Sequence, residues 1–499
     1  MSSPIKKLAG QTAIYGLSSI AGRLLNYFLV PLYTRVFLPE EYGVVNELYS
    51  YAALLMIVFT YGMETGYFRF SVRGDDPKKV FGTSALSLIF STCAIALILI
   101  SFASPIAGAM HYGDHPEYIT WFVLMISFDT LASIPFAKLR QMNRPVLFAT
   151  LKLFNIGVNV VLNLFWLVAC PYVLNHWGDS SLARFVHLVY DPALGVSYVF
   201  LANLIASGLT MLAVIPFTWA GKISFSKKLW REMMVYSLPV LIIGAAGMVN
   251  ETFDRILLKW LLPGSPKEAL AQIGIYSACY KLSLFMQLFV QAYRMAAEPF
   301  FFNQSKQDDA KRVYAVSMKY FVIVCSLILL GIMLYLDLFK HFVGREYYGG
   351  LIIVPVSLFA NIFLGIYYNL SLWYKLTDKT HRGMLISLGG AAVSLALNIA
   401  LIPVLGFTGA AWARFACYGL MMVASYFQGQ KFYPVPYDLK RMGWYAMVAV
   451  AFCALSFWGI NSLDTGIVLR LALNSVLMIL FLLMVLKLEA KGLRNFLKK

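Results

Sequence analysis

Apolar stretches of about 20 residues recur from one end of the chain to the other, each long enough to cross a roughly 30 Å hydrocarbon layer as a helix. Inside lipid a backbone has to satisfy its own N–H and C=O groups. Unbroken apolar runs of this length therefore fold as helices and not as the alternating strands of a barrel. With 60% hydrophobic and 13% charged residues, the chain carries too little polar surface for a water-soluble fold. The polar breaks predict an all-α polytopic membrane protein of about 14 transmembrane helices, at residues 9–34, 42–66, 80–109, 118–138, 146–172, 194–220, 232–262, 270–300, 313–343, 348–374, 384–404, 407–430, 442–461 and 466–486. The first reads as a retained helix, because no small-residue cleavage site follows a short apolar segment.

Lysine and arginine orient the helices. With a cytoplasmic N-terminus, 27 of the 41 basic residues fall on cytoplasmic segments, from Lys6 and Lys7 to Lys498 and Lys499. Only seven, Arg35, Arg184, Lys259, Lys267, Lys340, Arg345 and Arg470, fall on the opposite side. The asymmetry obeys the positive-inside rule and predicts that both termini are cytoplasmic. The net charge of +17 is then a rim facing anionic headgroups, with nothing further to suggest a nucleic-acid partner. The six cysteines lie in or beside apolar runs without CxxC spacing, and the six histidines are scattered over different loops, so neither a metal centre nor a cofactor is expected. No GxxxxGK[ST] run is present. The longest external loop, 173–193, reads as a solvated insert rather than a catalytic region, and the chain is not expected to be an enzyme.

Two internal matches share nearly one offset. Gly43 and Tyr49 in the second span align with Gly274 and Tyr280 in the eighth, and Asn163 in the fifth resembles Asn398 in the eleventh. They imply two parallel six-helix lobes related by an axis along the membrane normal. The expected divisions are an N-terminal lobe at 1–220, a C-terminal lobe at 221–435, and an appended helix pair with a basic tail at 436–499. Pro31, Pro239 and Pro299 mark the first, seventh and eighth helices as bendable.

Charges inside the spans are the candidate functional groups, since a cation at mid-bilayer costs about 2.5–3.5 kcal/mol or more unless it meets water or a partner. Arg23 lies about 21 Å above the inner start of the first helix, and Glu47 about 9 Å below the outer start of the second, so they share a level. Either they form a structural ion pair, or Arg23 is an anion ligand kept poised by Glu47, with Asn26 and Asn46 one turn away. In the second half Glu251, Asp254 and Arg255 sit on the seventh helix, Lys281 on the eighth and Arg414 on the twelfth. A Glu251–Arg255 pair would leave Asp254 to meet Lys281, as ion-coupling or structural groups. Asp129 and Lys152, on adjacent helices, read as a packing ion pair, and Asn155, Asn159 and Asn163 form a stripe suited either to a glycan path or to helix adhesion.

The segments from Asn26 to Gly43, Tyr61 to Phe70, Ile134 to Pro145, Asp254 to Leu258 and Gly406 to Ala411 resemble, in order, those of bacterial Wzx-type polysaccharide flippases. The resemblance covers about residues 1–430 and reaches the wider superfamily that includes MATE drug antiporters and lipid II flippases. It implies two lobes around a central cavity, a bacterial inner-membrane location, and alternating access for an undecaprenyl-pyrophosphate-linked oligosaccharide. Membrane lipids and other polysaccharide-assembly membrane proteins are the partners it implies. Arg23, Lys281 and Arg414 are then candidate pyrophosphate ligands, with Asn26, Asn46 and Glu47 beside them in the cavity. A cation-coupled drug antiporter, a lipid II flippase and, less well supported, a membrane glycan polymerase are the alternatives.

Overall fold

A computed structural model of the chain describes residues 24, 27–73, 75–178, 180–219, 224–305, 307–377, 379–460 and 466–497. Among them there is helix and no strand. Packing divides the chain into two compact units, Met1–Gly274 and Ile275–Lys499. The first contains α1 (Val30–Val36), α2 (Pro39–Thr60), α3 (Met63–Arg73), α4 (Pro77–Ser101), α5 (Ala103–Ala109), α6 (Glu117–Gln141), α7 (Pro145–His176), α8 (Ser181–Val189), α9 (Ser197–Thr218) and α10 (Lys227–Leu261). α11 (Pro266–Leu282) carries the chain across the division. The second unit continues with α12 (Leu284–Gln304), α13 (Ala310–Met333), α14 (Arg345–Leu376), α15 (Thr380–Leu405), α16 (Phe407–Phe432), α17 (Leu439–Ile460) and α18 (Ile467–Leu497).

Eleven of the described helices are long and apolar enough to cross a membrane, or twelve if α11 and α12, which bend by 56° about Ser283, count as one broken span. The expected fourteen differ at two places. α16 is a helix of 26 residues but is too polar to join that set. Of the 9–34 stretch only residues 24 and 27–34 are described, and Arg23 and Asn26 lie outside them. α10 runs as one helix of 35 residues with Pro239 inside it, and the break in the eighth span falls at Ser283. The second span is interrupted instead. Tyr61 adopts φ 33° and Gly62 φ 71°, and this left-handed turn ends α2 before α3 begins.

In the first unit α9 packs on α6 and α7, and α10 packs along α2, α3 and α4. That last contact places α10 with the first unit, whose limit is Gly274. In the second unit α16 packs between α14 and α15, while α17 packs on α13. Glu489 of α18 is buried, accepting from Lys319 of α13 and from Tyr445 of α17 at 2.9 Å, so one acid ties the appended pair to its unit.

Two of the three asparagines in the stripe bond to other helices. Asn155 donates to Thr210 of α9 at 3.0 Å, Asn163 donates to Asn159 at 2.7 Å, and Tyr33 of α1 donates to Asn163 at 2.9 Å. Its counterpart Asn398 binds the carbonyl four residues back, as Asn163 does. The 173–193 loop is not simply a solvated insert: α8 buries Ala183 and Val186 and exposes Leu182, Phe185 and Leu188. An exposed apolar face on a short helix beside transmembrane segments suits the membrane interface, where lipid replaces water against it.

The repeated glycines have a physical reason. A Cβ on Gly43 would stand 1.9 Å from the Leu270 carbonyl oxygen, and one on Gly274 would stand 1.9 Å from that of Pro39. Leu270 and Gly274 follow Pro39 and Gly43 by the same offset, so α2 and α11 cross through two reciprocal contacts, as in an isologous interface. Gly43→Val should force the helices apart and cost about 1–3 kcal/mol. The loss would appear as a lower thermal unfolding midpoint in detergent, whereas Gly157→Ala, with open space where its Cβ would sit, should not lower the midpoint.

Candidate functional site

Pro39, Gly43, Glu47 and Tyr51 recur every fourth residue and share one face of α2. The first two meet α11, and the last two meet α10. Tyr51 accepts from the Trp260 indole N–H at 2.7 Å, and between these contacts Glu47 is wholly buried. Its partner is Lys259, in the last turn of α10, whose Nζ lies 2.8 Å from Glu47 Oε2. A cation there also faces the negative end of its own helix.

Two further groups complete the cluster, and local backbone geometry presents both. α5 ends with His111 in the left-handed region, at φ 61°, and with Tyr112 N–H bonded back to the Ala107 carbonyl at 2.7 Å. This turn brings the Met110 carbonyl to 2.6 Å from Lys259 Nζ and sets the Tyr112 ring 3.9 Å from the same nitrogen. The Tyr112 hydroxyl donates to Glu47 Oε2. Burial first, and then the adjacent Glu47 carboxylate, hold the Tyr112 phenol well above its ordinary pKa, so it stays protonated and donates. The ammonium thus has a carboxylate, a carbonyl and an aromatic face around it. It is a buried charge with its hydrogen bonds largely met, the condition under which such a pair persists.

Sequence reasoning placed Lys259 among the external loop cations and offered Arg23 as the partner of Glu47. The structure pairs Glu47 with Lys259, while Arg23 and Asn26 lie outside the described residues. The available signal was the run Leu257-Leu258-Lys259-Trp260-Leu261, an isolated cation flanked by apolar residues inside a predicted span. Nothing comparable pointed to Tyr112. Asn46 is turned to its own helix, donating to the Tyr42 carbonyl at 2.7 Å. Arg255 donates to the Glu251 carbonyl at 3.4 Å and lies 3.9 Å from Asp254, which is buried, whereas Glu251 is exposed.

The expected Asp129–Lys152 ion pair is absent as a direct contact: Lys152 Nζ lies 4.3 Å from the Phe136 ring centre, and Asp129 has the Ser207 hydroxyl as its partner. In the second unit Arg414 is 3% exposed, with its guanidinium 4.6 Å from the Tyr280 ring centre, and Lys281 is half-buried on α11. A guanidinium over a tyrosine face gains a cation–π contact, and its fork of N–H donors matches carboxylate and phosphate oxygens.

Lys259→Met should strand the Glu47 charge and destabilise the protein by about 3–5 kcal/mol. The double variant Glu47→Leu with Lys259→Met should recover most of that loss. Both are read from detergent-solubilised thermal unfolding, and a single variant as stable as the parent would mean that the pair is not formed in the folded protein.

The profile of a family described as polysaccharide biosynthesis protein matches residues 8–305. Among solved structures, a lipid II flippase, MurJ, in an inward closed conformation aligns with a TM-score of 0.68 at 12% identity, covering 95% of this chain and 98% of that one. A multidrug resistance MATE family transporter in an inward-facing conformation aligns at 0.60 and 12% identity, covering 87% and 96%. A third, the MATE multidrug transporter DinF-BH, aligns at 0.57 and 14% identity, covering 89% and 97%. No curated protein sequence matches the chain. The structural likenesses establish a MurJ- and MATE-like fold, and the match over residues 8–305 establishes that the chain belongs to the polysaccharide biosynthesis protein family.

Proposed function

We propose that the protein carries an oligosaccharide linked to undecaprenyl pyrophosphate from the inner to the outer leaflet of a bacterial cytoplasmic membrane. The observation that supports this most is the polysaccharide-biosynthesis family match on a chain with a flippase- and MATE-like fold. The distribution of lysine and arginine supports an orientation with both termini in the cytoplasm, which puts the Glu47–Lys259 cluster at the outer ends of α2 and α10. On the lobe division proposed from the repeats, residues 1–220 and 221–435, Glu47 belongs to the first lobe and Lys259 to the second. The cluster is then a clasp that shuts the outer end. Its release lets the lobes part there, and its formation lets them part at the cytoplasmic end, which is alternating access in physical terms.

Buried and half-buried cations, Arg414 over Tyr280 and Lys281 beside it in sequence, suit the pyrophosphate, and Arg23 remains the sequence-derived ligand in the first helix. Asp254 and Glu251 are the candidate ion-coupling groups. The prenyl chain stays in lipid while the charged headgroup crosses, because hydrocarbon has nothing to gain from a polar cavity.

Purified protein in liposomes should accelerate translocation of a fluorescent undecaprenyl-pyrophosphate oligosaccharide. Arg414→Ala should slow it about tenfold or more, the loss expected for charge-assisted hydrogen bonds to phosphate. In cells, Arg23→Ala should abolish glycan export while membrane insertion persists, and Arg23→Lys should keep part of it. Undiminished transport in both alanine variants would remove the proposed ligands. Transport of cationic drugs in place of the glycan lipid would favour an antiporter, and altered glycan chain length with translocation preserved would favour a polymerase.

A further inference from the structure

A cavity of about 540 Å³ opens from the first unit between the ends of α2, α4 and α10. Its walls are Val58, Phe90, Met234, Leu238 and Leu241, of which Val58, Phe90 and Leu238 are 52%, 72% and 45% exposed. These residues lie within helices long and apolar enough to cross a membrane. A polar seam closes the floor: the Trp230 indole donates to Ser87 Oγ at 2.8 Å, and Tyr61 hydroxyl shares a hydrogen bond with Ser87 at 2.7 Å. These bonds tie α10 and the end of α2 to α4 along the floor.

Beyond one end of this groove the charge is net positive: Asp75 and Glu232 pair with Arg73, Asp76 caps the start of α4, and five further bases stand beside them. α4 and α10 start side by side, with Ser226 N–H donating to Thr83 Oγ1 at 3.1 Å. Their first turns present Lys78, Lys79, Lys227, Lys228 and Arg231, all exposed. A preformed apolar slot leading away from a cationic rim has the charge and polarity pattern of an anionic lipid lying along it, headgroup at the rim and chain in the slot.

We infer that this groove binds the isoprenoid chain of the anionic lipid carrier in the cytoplasmic leaflet, holding a short stretch of the chain near α4 and α10. The inference rests on the transport reading above, which supplies a prenyl carrier as the lipid. Phe90, with Leu238 and Leu241, offers broad, rigid surfaces to a methyl-branched chain. The rim lysines and Arg231 receive phosphate oxygens.

The test is binding, measured apart from transport. A polyprenyl phosphate with a photoactivatable group on its chain is added to the protein in nanodiscs of phosphatidylglycerol and phosphatidylethanolamine. Cross-links should map to peptides of α4 and α10. Leu238→Trp, which fills a lipid-facing slot without disturbing the protein interior, should weaken labelling about tenfold, while Leu238→Met should not. Replacing Lys227 and Lys228 by glutamine should weaken it as well. Equal displacement of the probe by added phosphatidylglycerol would overturn the proposal, showing a groove for ordinary lipid, as would undiminished labelling of Leu238→Trp. Selective labelling in a protein that moves no glycan lipid would uphold the groove and contradict the transport reading. Transport without labelling would do the reverse.

Discussion

The ion pair between Glu47 and Lys259 is the contact on which the arrangement of the first unit turns. Both side chains are essentially without exposure, at 0% and 1%, and each alone would carry a desolvation penalty of several kcal/mol. Together, with the Met110 carbonyl and the Tyr112 hydroxyl, they neutralise one another, and only Glu47 Oε1 of the carboxylate has no hydrogen-bond partner. Two leucines of similar volume would hold α2 to α10 at least as firmly. What the charges add is a sharp dependence on register and closure, since a small separation admits water and each charge is then solvated by it. A contact of this kind suits a joint that has to open, and an apolar one suits a joint that does not.

The neighbouring contacts on α2 share this logic of spacing. At intervals of four residues the same helix face meets backbone at Pro39 and Gly43, the buried lysine at Glu47, and the Trp260 indole through Tyr51. The glycine crossing is reciprocal and follows from the sequence repeat. The charge cluster is not, since the position one repeat after Glu47 is Ala278. In the proposed cycle the symmetric crossing would serve as a pivot, and the asymmetric clasp beside it would set a preference for one side.

Much of this was legible in sequence, because hydropathy acts through the bilayer and each span is judged almost alone. The run lengths placed most of the described membrane helices to within a few residues, though 313–343 overran the helix that ends at Met333, and the Gly43 and Gly274 match marked the two repeat positions that prove to cross. Pairings between distant helices were not legible. Lys259 sits so near a span end that it reads as a loop cation, and Tyr112 reaches Glu47 only because α5 ends in a left-handed turn at His111. Lys152 illustrates the same limit, since two opposite charges on adjacent helices at like depth need not face one another. Helix phase and turn geometry decide contacts, and neither follows from depth alone. The asparagines of α7 stood equally for adhesion and for a sugar path, and two of the three, Asn155 and Asn163, prove to bond to other helices through Thr210 and Tyr33.

The central claim is that α2 and α10 part at this clasp in every transport cycle. Tyr51→Cys with Trp260→Cys, in a chain without its six native cysteines, places two thiols on the exposed margin of the clasp for a short, reducible bis-thiosulfonate bridge. Translocation of the glycan lipid in liposomes is then followed before bridging, after bridging and after reduction. The account predicts that transport stops when the bridge forms and returns when it is reduced, and transport at an undiminished rate through the bridged protein would contradict it.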